Sequence, residues 1–515
     1  MDSKQYYDTK MNYESILPKY ILEEVKQRIL QQYEEIDEKK VNPQLIDVYT
    51  EMIQSDDIVK QHYGILAIRK LISVDHNPID ISQSIIMNNL VPTLIQILDQ
   101  NSNQLFIFEA IWILTNIVSG TTQQTQVVVK YGGIPTILKH LDSKHLSIIE
   151  QVCWALGNIA ADVEEYRSQI IGQGGLQRCI EISEQLQLRN NKSLIKICSW
   201  TISNLCRGNP NPPIEKYKKQ LIKYFSNIID QFDSNDTLTD VCWALHYISN
   251  NNNGLDPQQE FINTGMVPKL ITLLRSNQGN PIIFPCVRII GNILRGSDTQ
   301  KDYVLNLNIL DVFAHLMKST QLKSLNREIC QCISNITAGN YYQIKKVLDN
   351  NDIMKTMFTM FQSAVPEVQT EIAWAFSNVT KEIKQQDTMR LVEMGTLEIF
   401  ATTLNLQRTQ TKLKWEILGS LDTIFINCNQ INRFQYANFM GQSRSTYPNS
   451  LGYMIKYKNV NQKIKTNPNF ILNNILIGGN KNAKIEWHFM YNFFKVSNII
   501  LIVFVFAVYV LSYTI

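Results

Sequence analysis

The sequence lacks the features that mark most enzymes and most secreted proteins. Its 515 residues contain no glycine-rich phosphate loop and no nucleophile elbow, the seven histidines are scattered, and the nine cysteines show no metal-ligand spacing. The opening stretch, MDSKQYYDTKMNYESILPKY, has no apolar core of the length that a secretory signal needs. We therefore expect no enzyme activity, no cofactor and no metal, and buried thiols in a reducing compartment.

Acidic residues are almost missing from the C-terminal end. Residues 431–515 hold nine Lys or Arg and one acid, Glu486, whereas residues 1–430 hold 40 basic and 45 acidic residues. A nucleic-acid binder usually concentrates basic residues in its folded body, so this balance argues against direct nucleic-acid binding. The hydrophobic content of 44% is ample for a large buried core.

Long apolar runs are absent except at the very end of the chain. The run from Ile499 to Ile515 spans 17 residues, which gives a helix of about 26 Å against a hydrocarbon core of about 30 Å. Two interpretations stay open. Residues 496–515 form a membrane-anchoring helix flanked by Lys495, or the tail is an unrelated extension that replaces the end of the folded region.

The chain does contain a repeated phrase, built around Trp and, four residues later, Asn. Successive phrases are 42 to 46 residues apart, and five of the seven tryptophans fall in this register. The first position reads Trp112, Trp154, Trp200, Trp243, Arg288, Gln331 and Trp374. The position four later reads Asn116, Asn158, Asn204, Tyr247, Asn292, Asn335 and Asn378.

Each repeat also has an upstream phrase, as in LVPTLIQIL from 90, GIPTILKHL from 133 and MVPKLITLL from 266. A Pro in the first turn and apolar residues at spacings of three and four predict a helix. Two or three short helices per repeat of this length predict an all-α fold, a right-handed superhelical solenoid of about nine armadillo repeats with a concave groove. In the degenerate ninth repeat, Asp422 and Ile426 are predicted to replace the pair.

The Trp and Asn of each phrase share one helix face. If that face lines the groove, the indoles form a row of slots for Lys or Arg side chains, and the Asn amides hold the backbone of an extended basic peptide. Acids near the slots would be Asp162 and, three residues before a Trp position, Glu109, Asp240, Glu328 and Glu371. The alternatives are core packing for the Trp set and a solvated helix face for the acids. In VCWALGNI, however, the apolar stripe leaves Trp154 and Asn158 on its flank.

Five phrases, EAIWILTNIVSG, VCWALGNIAAD, CSWTISNLCRG, CVRIIGNILRGSD and CQCISNITAGN, resemble the third helices of importin-α, the adaptor that recognises basic nuclear localisation signals. The resemblance extends from about Gln61 to Asn427. It implies a nuclear import adaptor in the cytoplasm and nucleus. It also implies a domain order of a charge-mixed segment at 1–45, the solenoid at 46–430, a basic extension outside the family at 431–495 and the apolar helix at 496–515.

The resemblance implies two peptide-binding sites. In the family, the residue matching Asp162 contacts the key lysine of the signal, and those matching Gly120 and Thr125 bind the ammonium of that lysine. The major site comprises Trp112, Asn116, Gly120, Thr125, Gln151, Trp154, Asn158, Asp162, Trp200, Asn204, Arg207, Asp240 and Trp243. The minor site comprises Arg288, Asn292, Glu328, Asn335, Glu371, Trp374 and Asn378, with Gln331 where a Trp is expected. A second basic cluster should therefore add less affinity than in the family.

Partners follow from the same resemblance. The family recruits importin-β through a strongly basic N-terminal segment, but residues 1–40 here hold seven basic and nine acidic residues, and ILEEVKQRILQQYEEIDEKK indicates an amphipathic, charge-mixed helix. Either importin-β is contacted differently, or the groove is constitutively open and the chain does not enter the usual carrier. The export factor of the family binds a region that the extension replaces here. Two rival functions are an adhesion or signalling scaffold with a basic groove, and a solenoid tethered to a membrane by its tail.

Overall fold

The computed structural model describes the repeat region and one helix before it. The described residues are 23–36, 41–74, 78–185, 191–208, 212–231, 234–250, 256–276, 278–320, 322–406 and 409–429. Within these ranges all regular secondary structure is helical. The predicted basic extension and apolar tail, residues 431–515, lie outside the described residues.

The described chain divides into two compact units. Unit 1 takes the residues up to Lys269 together with Gln278–Pro285, and unit 2 takes Leu270–Asn277 and the residues from Cys286 onward. Unit 1 contains α1 (Glu23–Glu35), α2 (Ile46–Ile53), α3 (Ile58–Val74), α4 (Pro78–Met87), α5 (Leu90–Gln100), α6 (Gln104–Val118), α7 (Thr122–Lys130), α8 (Gly133–Lys139), α9 (Leu146–Ala161), α10 (Glu164–Gly172), α11 (Gly175–Glu184), α12 (Lys192–Cys206), α13 (Lys218–Gln231), α14 (Asn235–Ser249) and α15 (Pro257–Asn263).

Helices α16 (Met266–Arg275) and α17 (Asn280–Ile293) hold residues of both units. Unit 2 continues with α18 (Asp298–Asn306), α19 (Ile309–Ser319), α20 (Lys323–Thr337), α21 (Tyr341–Asp349), α22 (Asn351–Ser363), α23 (Pro366–Lys381), α24 (Gln385–Glu393), α25 (Thr396–Asn405) and α26 (Thr411–Asn429). Short 3-10 turns lie at Pro43–Leu45, His140–Asp142 and Glu215–Tyr217.

The third helix of each repeat packs against the third helix of the next. In unit 1 this series runs α3, α6, α9, α12 and α14, and in unit 2 it includes α20, α23 and α26. The first and second helices cover the other side of the same core, as α10 and α11 do for α12. Eight of the nine cysteines, those from Cys153 to Cys332, are buried, as predicted. These features confirm the predicted all-α solenoid of armadillo repeats.

The joint between the first and second helices is a left-handed residue. Gly132 and Gly174 take φ values of 84° and 85°, and Asn89 takes 54° at the same point of its repeat. Glycine and asparagine adopt this conformation at the lowest cost, which is why the joints read NNL, YGG and GQGG in the sequence. The stretch 172–175 is therefore a helix connection, as its sequence indicated.

The N-terminal helix α1 is amphipathic and charge-mixed, as predicted. Its residue Ile29 is fully buried and packs with Val59 of α3 and Leu105 of α6. Val25 adds a partly buried contact to the same cluster. The helix therefore uses its apolar face to cover the start of the solenoid core.

Candidate functional site

Three positions on each third helix define the predicted site. We call them the tryptophan position (Trp154 in α9), the asparagine position four residues later (Asn158) and the acid position three residues before the tryptophan position. In α9 the side chains of Val152, Leu156 and Ile159 are fully buried, whereas Trp154 and Asn158 are half-buried. In this repeat Trp154 and Asn158 therefore lie beside the buried apolar side chains of the helix rather than among them, as predicted from the sequence.

The asparagine side chains link successive repeats. In unit 1, Nδ2 of Asn158 donates to the carbonyl of Thr115 at 3.2 Å, and Nδ2 of Asn204 donates to the carbonyl of Gly157 at 3.2 Å. Asn116 differs, because its Nδ2 donates at 3.0 Å to Trp112 of its own helix. The inter-repeat bond recurs in unit 2, where the pairs are Asn335 with Gly291 and Asn378 with Ser334.

These bonds change the role that the sequence suggested for the amide. One hydrogen of each Nδ2 serves the solenoid, so the amide donor is partly committed. The amide oxygen is still available, because among the described residues no donor lies within hydrogen-bond distance of Oδ1 of Asn158 or Asn204. The side chains can therefore accept a backbone N–H from an extended peptide while still joining the repeats.

The first tryptophan of the register is already occupied by a side chain of the protein. Trp112 is only 9% exposed, and the guanidinium of Arg69 lies 4.7 Å from its ring centroid. Arg69 Nε also donates to Glu109 Oε2 at 2.8 Å, and Glu109 is fully buried. The prediction that Glu109 faces a bound ligand is therefore wrong, because the acid is consumed by an internal ion pair.

The next two tryptophans contact each other. The ring centroids of Trp154 and Trp200 are 5.0 Å apart and their planes are tilted by 50°. An alkyl chain between two aromatic faces needs a separation of roughly 7 to 8 Å, twice a carbon–carbon contact distance. The predicted slot between these two rings is therefore closed. Trp200 lies directly over Gly157, where a Cβ atom would overlap its ring.

An open recess follows on the other side of Trp200. It has a volume of about 270 Å³. Its lining consists of Trp200, Ser203, Asn204, Arg207, Asp240, Trp243 and Tyr247. The structure thus brings together five of the residues predicted for the major site, and Tyr247 closes the recess at the position where other repeats carry Asn.

The carboxylate of Asp240 forms no ion pair with a described lysine or arginine, although Arg207 also lines the recess. Burial raises the pKa of Asp240 to about 7, well above its ordinary value. Its Oδ2 atom is buried and makes no hydrogen bond, and no described lysine or arginine lies within ion-pair distance. The nearby Lys196 is paired with Asp236 at 3.0 Å instead. A cationic group entering the recess would find an unsatisfied carboxylate between two indoles.

Asp162 is a second carboxylate with an available oxygen. It follows α9, and its Oδ1 accepts a hydrogen bond from Thr122 at 2.8 Å, which fixes the orientation of the carboxylate. The Oδ2 atom is buried and has no hydrogen-bond partner in the described residues. Arg167 lies nearby and interacts electrostatically with Asp162, but its guanidinium donates to the backbone carbonyls of Ala160 and Asp162 rather than to the carboxylate.

The other residues predicted around this lysine subsite have clear structural roles. The hydroxyl of Thr125 is buried and donates to the carbonyls of Val118 and Thr121. Gly120 lies against Gln124, whose amide closes a capping box at the start of α7, and a Cβ at Gly120 would overlap that amide. The same glycine and capping box recur before α18 and α21, so a glycine here does not by itself indicate a ligand site.

Gln151 is nearly buried at 9% exposure. Its side-chain Oε1 has no hydrogen-bond partner among the described residues. Its backbone carbonyl accepts from Thr115 at 3.4 Å. Gln151 therefore occupies the acid position of this repeat, and its Oε1 atom can still accept a hydrogen bond.

The acids of the minor site are paired within unit 2. Arg288 Nε lies 3.7 Å from Glu328 Oε2, and Arg327 Nε lies 3.9 Å from Glu371 Oε1. Burial raises the pKa of Glu371, and the positive charge of Arg327 partly offsets this rise. Both acids, predicted to meet a bound cation, thus have an arginine of the protein beside them.

The remaining positions of the minor site also face internal cations. Arg295 donates to Asn292 Oδ1 at 3.1 Å and to Gln331 Oε1 at 3.4 Å. The ammonium of Lys412 lies 5.9 Å from the ring centroid of Trp374. The site that the sequence predicted to be weakened by Gln331 is thus also filled by the side chains of the protein.

The ninth repeat has a different register from the one predicted. Ser420 Oγ donates to the carbonyl of Ser377 at 3.3 Å, as Asn378 does to the carbonyl of Ser334 one repeat earlier. The asparagine position is therefore Ser420, and the predicted assignment of Asp422 and Ile426 is wrong.

Sequence reasoning missed Arg69, Arg295, Arg327 and Lys412. Arg69 precedes Trp112 by one repeat length, so extending the alignment one repeat backwards would have placed it in the tryptophan position. The other three lie outside the three register positions, and nothing in the sequence pattern singles them out.

In the part of the chain that the structure describes, no single helix is both long and apolar enough to span a membrane, although the segments Asp80–Met87 and Leu90–Gln100 reach that length and composition as a pair bent by 78°. The predicted anchor at 496–515 lies outside the described residues.

Comparison with known proteins adds independent findings. A family model described as Armadillo/beta-catenin-like repeat matches residues 121–161. Importin subunit alpha-1b of Oryza sativa subsp. japonica is 35% identical over 278 residues, covering 54% of this chain and 50% of the relative. Importin subunit alpha-5 of Arabidopsis thaliana is 31% identical over 347 residues, covering 67% of this chain and 64% of the relative.

The matched part of the chain spans about half the length of the rice relative. Among solved structures, an engineered protein aligns with a TM-score of 0.64 at 19% identity, covering 80% of this chain and 96% of that protein. At this identity the likeness supports the fold alone.

Proposed function

Because the chain belongs to the importin-α family of armadillo-repeat proteins, we propose that it is an adaptor that binds basic nuclear localisation signals of cargo proteins for import into the nucleus. We assign the binding surface to unit 1, between Trp154 and Trp243. The proposal places the protein in the cytoplasm and the nucleus and involves no catalytic step.

The observation that carries the proposal is the unsatisfied carboxylate of Asp240. In the same register, Glu109 and Glu328 each lie beside an arginine from the tryptophan position of the preceding repeat. Asp240 has Trp200 at that position, and no lysine or arginine of the described residues forms an ion pair with it. A lysine or arginine of a bound peptide would supply the charge that the protein itself supplies elsewhere.

The surrounding groups suit an extended basic strand. The exposed faces of Trp200 and Trp243 can hold an aliphatic stem, with the charge near the rings contributing about 0.5 to 2 kcal/mol. Asn204 Oδ1 can accept a peptide N–H, and Arg207 at the rim of the recess can donate to a peptide carbonyl. Charge, ring faces and backbone partners thus lie within one recess.

Asp162 supports a second cationic subsite in unit 1. Its Oδ2 is buried and without a hydrogen-bond partner, and Thr122 holds the carboxylate in place. An ammonium group reaching this atom would form a charge-assisted bond, which contributes about 1.5 to 3 kcal/mol. We therefore expect the key lysine of a signal to contact Asp162.

Unit 2 contributes less to this function. The acids of its predicted site are paired with Arg288 and Arg327, and the ammonium of Lys412 lies 5.9 Å from the ring centroid of Trp374. A second basic cluster of a signal would have to displace these cations. We therefore propose that the protein is a receptor for signals with a single basic cluster.

Binding of importin-β is expected to differ from that of the family. Residues 1–40 hold seven basic and nine acidic residues, and α1 uses its apolar face within the first repeats. We expect the full chain to retain little importin-β in a pull-down. Strong retention that depends on residues 1–45 would show that this segment serves the family role without basic clusters.

The central test is a titration of the full chain with a labelled peptide carrying four consecutive Lys or Arg residues, at two salt concentrations. An ionic clamp must weaken as salt screens it. The control is the same peptide with glutamine at those four positions. Equal binding of the two peptides, or an affinity that salt leaves unchanged, would refute the proposed clamp.

A further inference from the structure

Unit 2 contains a second recess, away from the register positions. Its volume is about 540 Å³, within the range of ligand-binding clefts. It lies between the second helices α19 and α22 and reaches the starts of the third helices α20 and α23. Buried Met317 and Val368 form an apolar floor.

The rim of this recess is basic. Lys318, Lys323 and Lys355 lie on it, and Asp352 is the one acid among its lining residues. Asp352 is already paired with Lys318 at 2.9 Å. Lys323 and Lys355 are exposed, and no acid of the described residues lies within ion-pair distance of either. The recess therefore has two available positive charges.

The wall of the recess also has an unsatisfied acceptor. Oδ1 of Asn326 is buried and has no hydrogen-bond partner among the described residues. Buried acceptors in folded proteins are almost always paired with a protein group or a water, so this atom can take a donor that a ligand brings into the recess.

We propose that this recess binds an extended segment of a partner protein in which acidic and apolar residues alternate. Its carboxylates pair with Lys323 and Lys355, its apolar side chains cover Met317 and Val368, and a backbone N–H donates to Asn326 Oδ1. In an extended strand, successive side chains point to opposite faces, so an alternating pattern presents acids to the rim and apolar groups to the floor.

The same recess disfavours the ligand proposed for unit 1. Two unpaired lysines repel a basic peptide, just as they attract an acidic one. A partner held here would therefore bind at the same time as a basic signal in unit 1. The two proposals can fail independently, because they use different residues and opposite ligand charge.

The test is fluorescence anisotropy of the full chain with a labelled peptide of three Leu-Glu repeats. The double variant Lys323→Glu with Lys355→Glu should bind this peptide about tenfold more weakly. Lys223→Glu is the matched control, since Lys223 is also exposed on a second helix, α13 of unit 1. It should leave binding unchanged. Neither change should affect the Lys-rich peptide.

A second variant examines the acceptor. Asn326→Leu keeps a similar size and removes Oδ1, so it should weaken the Leu-Glu peptide while the thermal midpoint stays within a few degrees. The proposal is overturned if the native chain does not bind the peptide, or if the double lysine variant binds like the native chain. It is overturned as well if millimolar inorganic phosphate displaces the peptide, which would identify a general anion site, or if a Leu-Gln peptide binds equally well.

Discussion

The two units carry the same helical register but satisfy its acids differently. In unit 1, no lysine or arginine of the described residues lies within ion-pair distance of Asp240, and burial raises its pKa to about 7. In unit 2, Glu328 lies beside Arg288 and Glu371 lies beside Arg327. The difference shows that an acid in this register is not a binding site by itself. We propose that it becomes one only where the tryptophan position of the preceding repeat is not an arginine.

The first repeats of unit 1 show that the residue at the tryptophan position, rather than the unit, decides whether the acid is paired. Arg69 stands in the tryptophan position before Glu109 and pairs with it at 2.8 Å. The same arginine covers the ring of Trp112. One end of unit 1 therefore contains an internal version of the contact that we propose for a bound peptide near Trp200.

The largest expected effect comes from breaking this internal pair. Arg69→Met leaves Glu109 charged and fully buried without its partner, which should destabilise the protein by about 3 kcal/mol. The measurement is the thermal midpoint of the full chain. The matched variant in unit 2 is Arg288→Met, where the pair is longer at 3.7 Å and Arg288 is 38% exposed. It should lower the midpoint only slightly.

Restoring neutrality provides the control for this prediction. Combining Arg69→Met with Glu109→Leu removes the stranded charge and should recover most of the lost stability. Equal losses in Arg69→Met and Arg288→Met would contradict the view that the two pairs differ in burial and strength.

The next largest effect is a difference in peptide affinity between substitutions of a tryptophan in unit 1 and of one in unit 2. Trp200→Ala removes one wall of the recess and the contact with Trp154 at 5.0 Å. Binding of the single-cluster basic peptide should weaken about 30-fold, the size of an interface hot spot. Trp374→Ala should change it less than about threefold, because Lys412 already covers that ring.

Thermal midpoints of both variants control for a loss of folding. A similar loss of affinity in Trp200→Ala and Trp374→Ala would mean that the peptide uses both units, and the comparison between them would fail.

The repeat architecture could be predicted from the sequence because it is periodic. Helix phrases recur every 42 to 46 residues, and the left-handed joints are written as Gly or Asn. The pairing of charges could be predicted only in part. Arg69 and Arg288 stand in the tryptophan position of the repeat before Glu109 and Glu328, which the alignment can show. Arg327 and Lys412 lie outside the register positions, so their contacts with Glu371 and Trp374 depend on how neighbouring helices pack.

The closed slot between Trp154 and Trp200 was equally beyond the sequence. It depends on how closely α9 and α12 approach at Gly157, over which the Trp200 ring lies. The degenerate ninth repeat was misread for a related reason. With neither Trp nor Asn as a marker, only the Ser420 hydrogen bond to Ser377 fixes its register.

A smaller effect tests the open acid of unit 1 through pH. A bound cation favours the charged form of Asp240, so binding lowers the pKa of this group below its value of about 7 in the free protein. Affinity for the basic peptide should be fully present above pH 7 and should decline as the pH falls through 7, by about fivefold between pH 8 and pH 6.

Asp240→Asn should bind more weakly at pH 8 and give a flat profile over the same range. The lysines of the peptide keep their charge throughout, so they do not contribute to the slope. A native profile as flat as that of Asp240→Asn would mean that the peptide does not contact this carboxylate.

The smallest effect comes from trying to convert unit 2 into a site like that of unit 1. Gln331→Trp restores the missing ring and removes the acceptor that Arg295 now contacts at 3.4 Å. Affinity for a two-cluster peptide should rise only about threefold, since one exposed cation–π contact is worth about 0.5 to 1 kcal/mol and Glu328 and Glu371 stay paired. Adding Arg288→Ser and Arg327→Ser should free both acids and raise the gain. If Gln331→Trp alone gave the full gain, the missing ring rather than the internal arginines would be what limits unit 2.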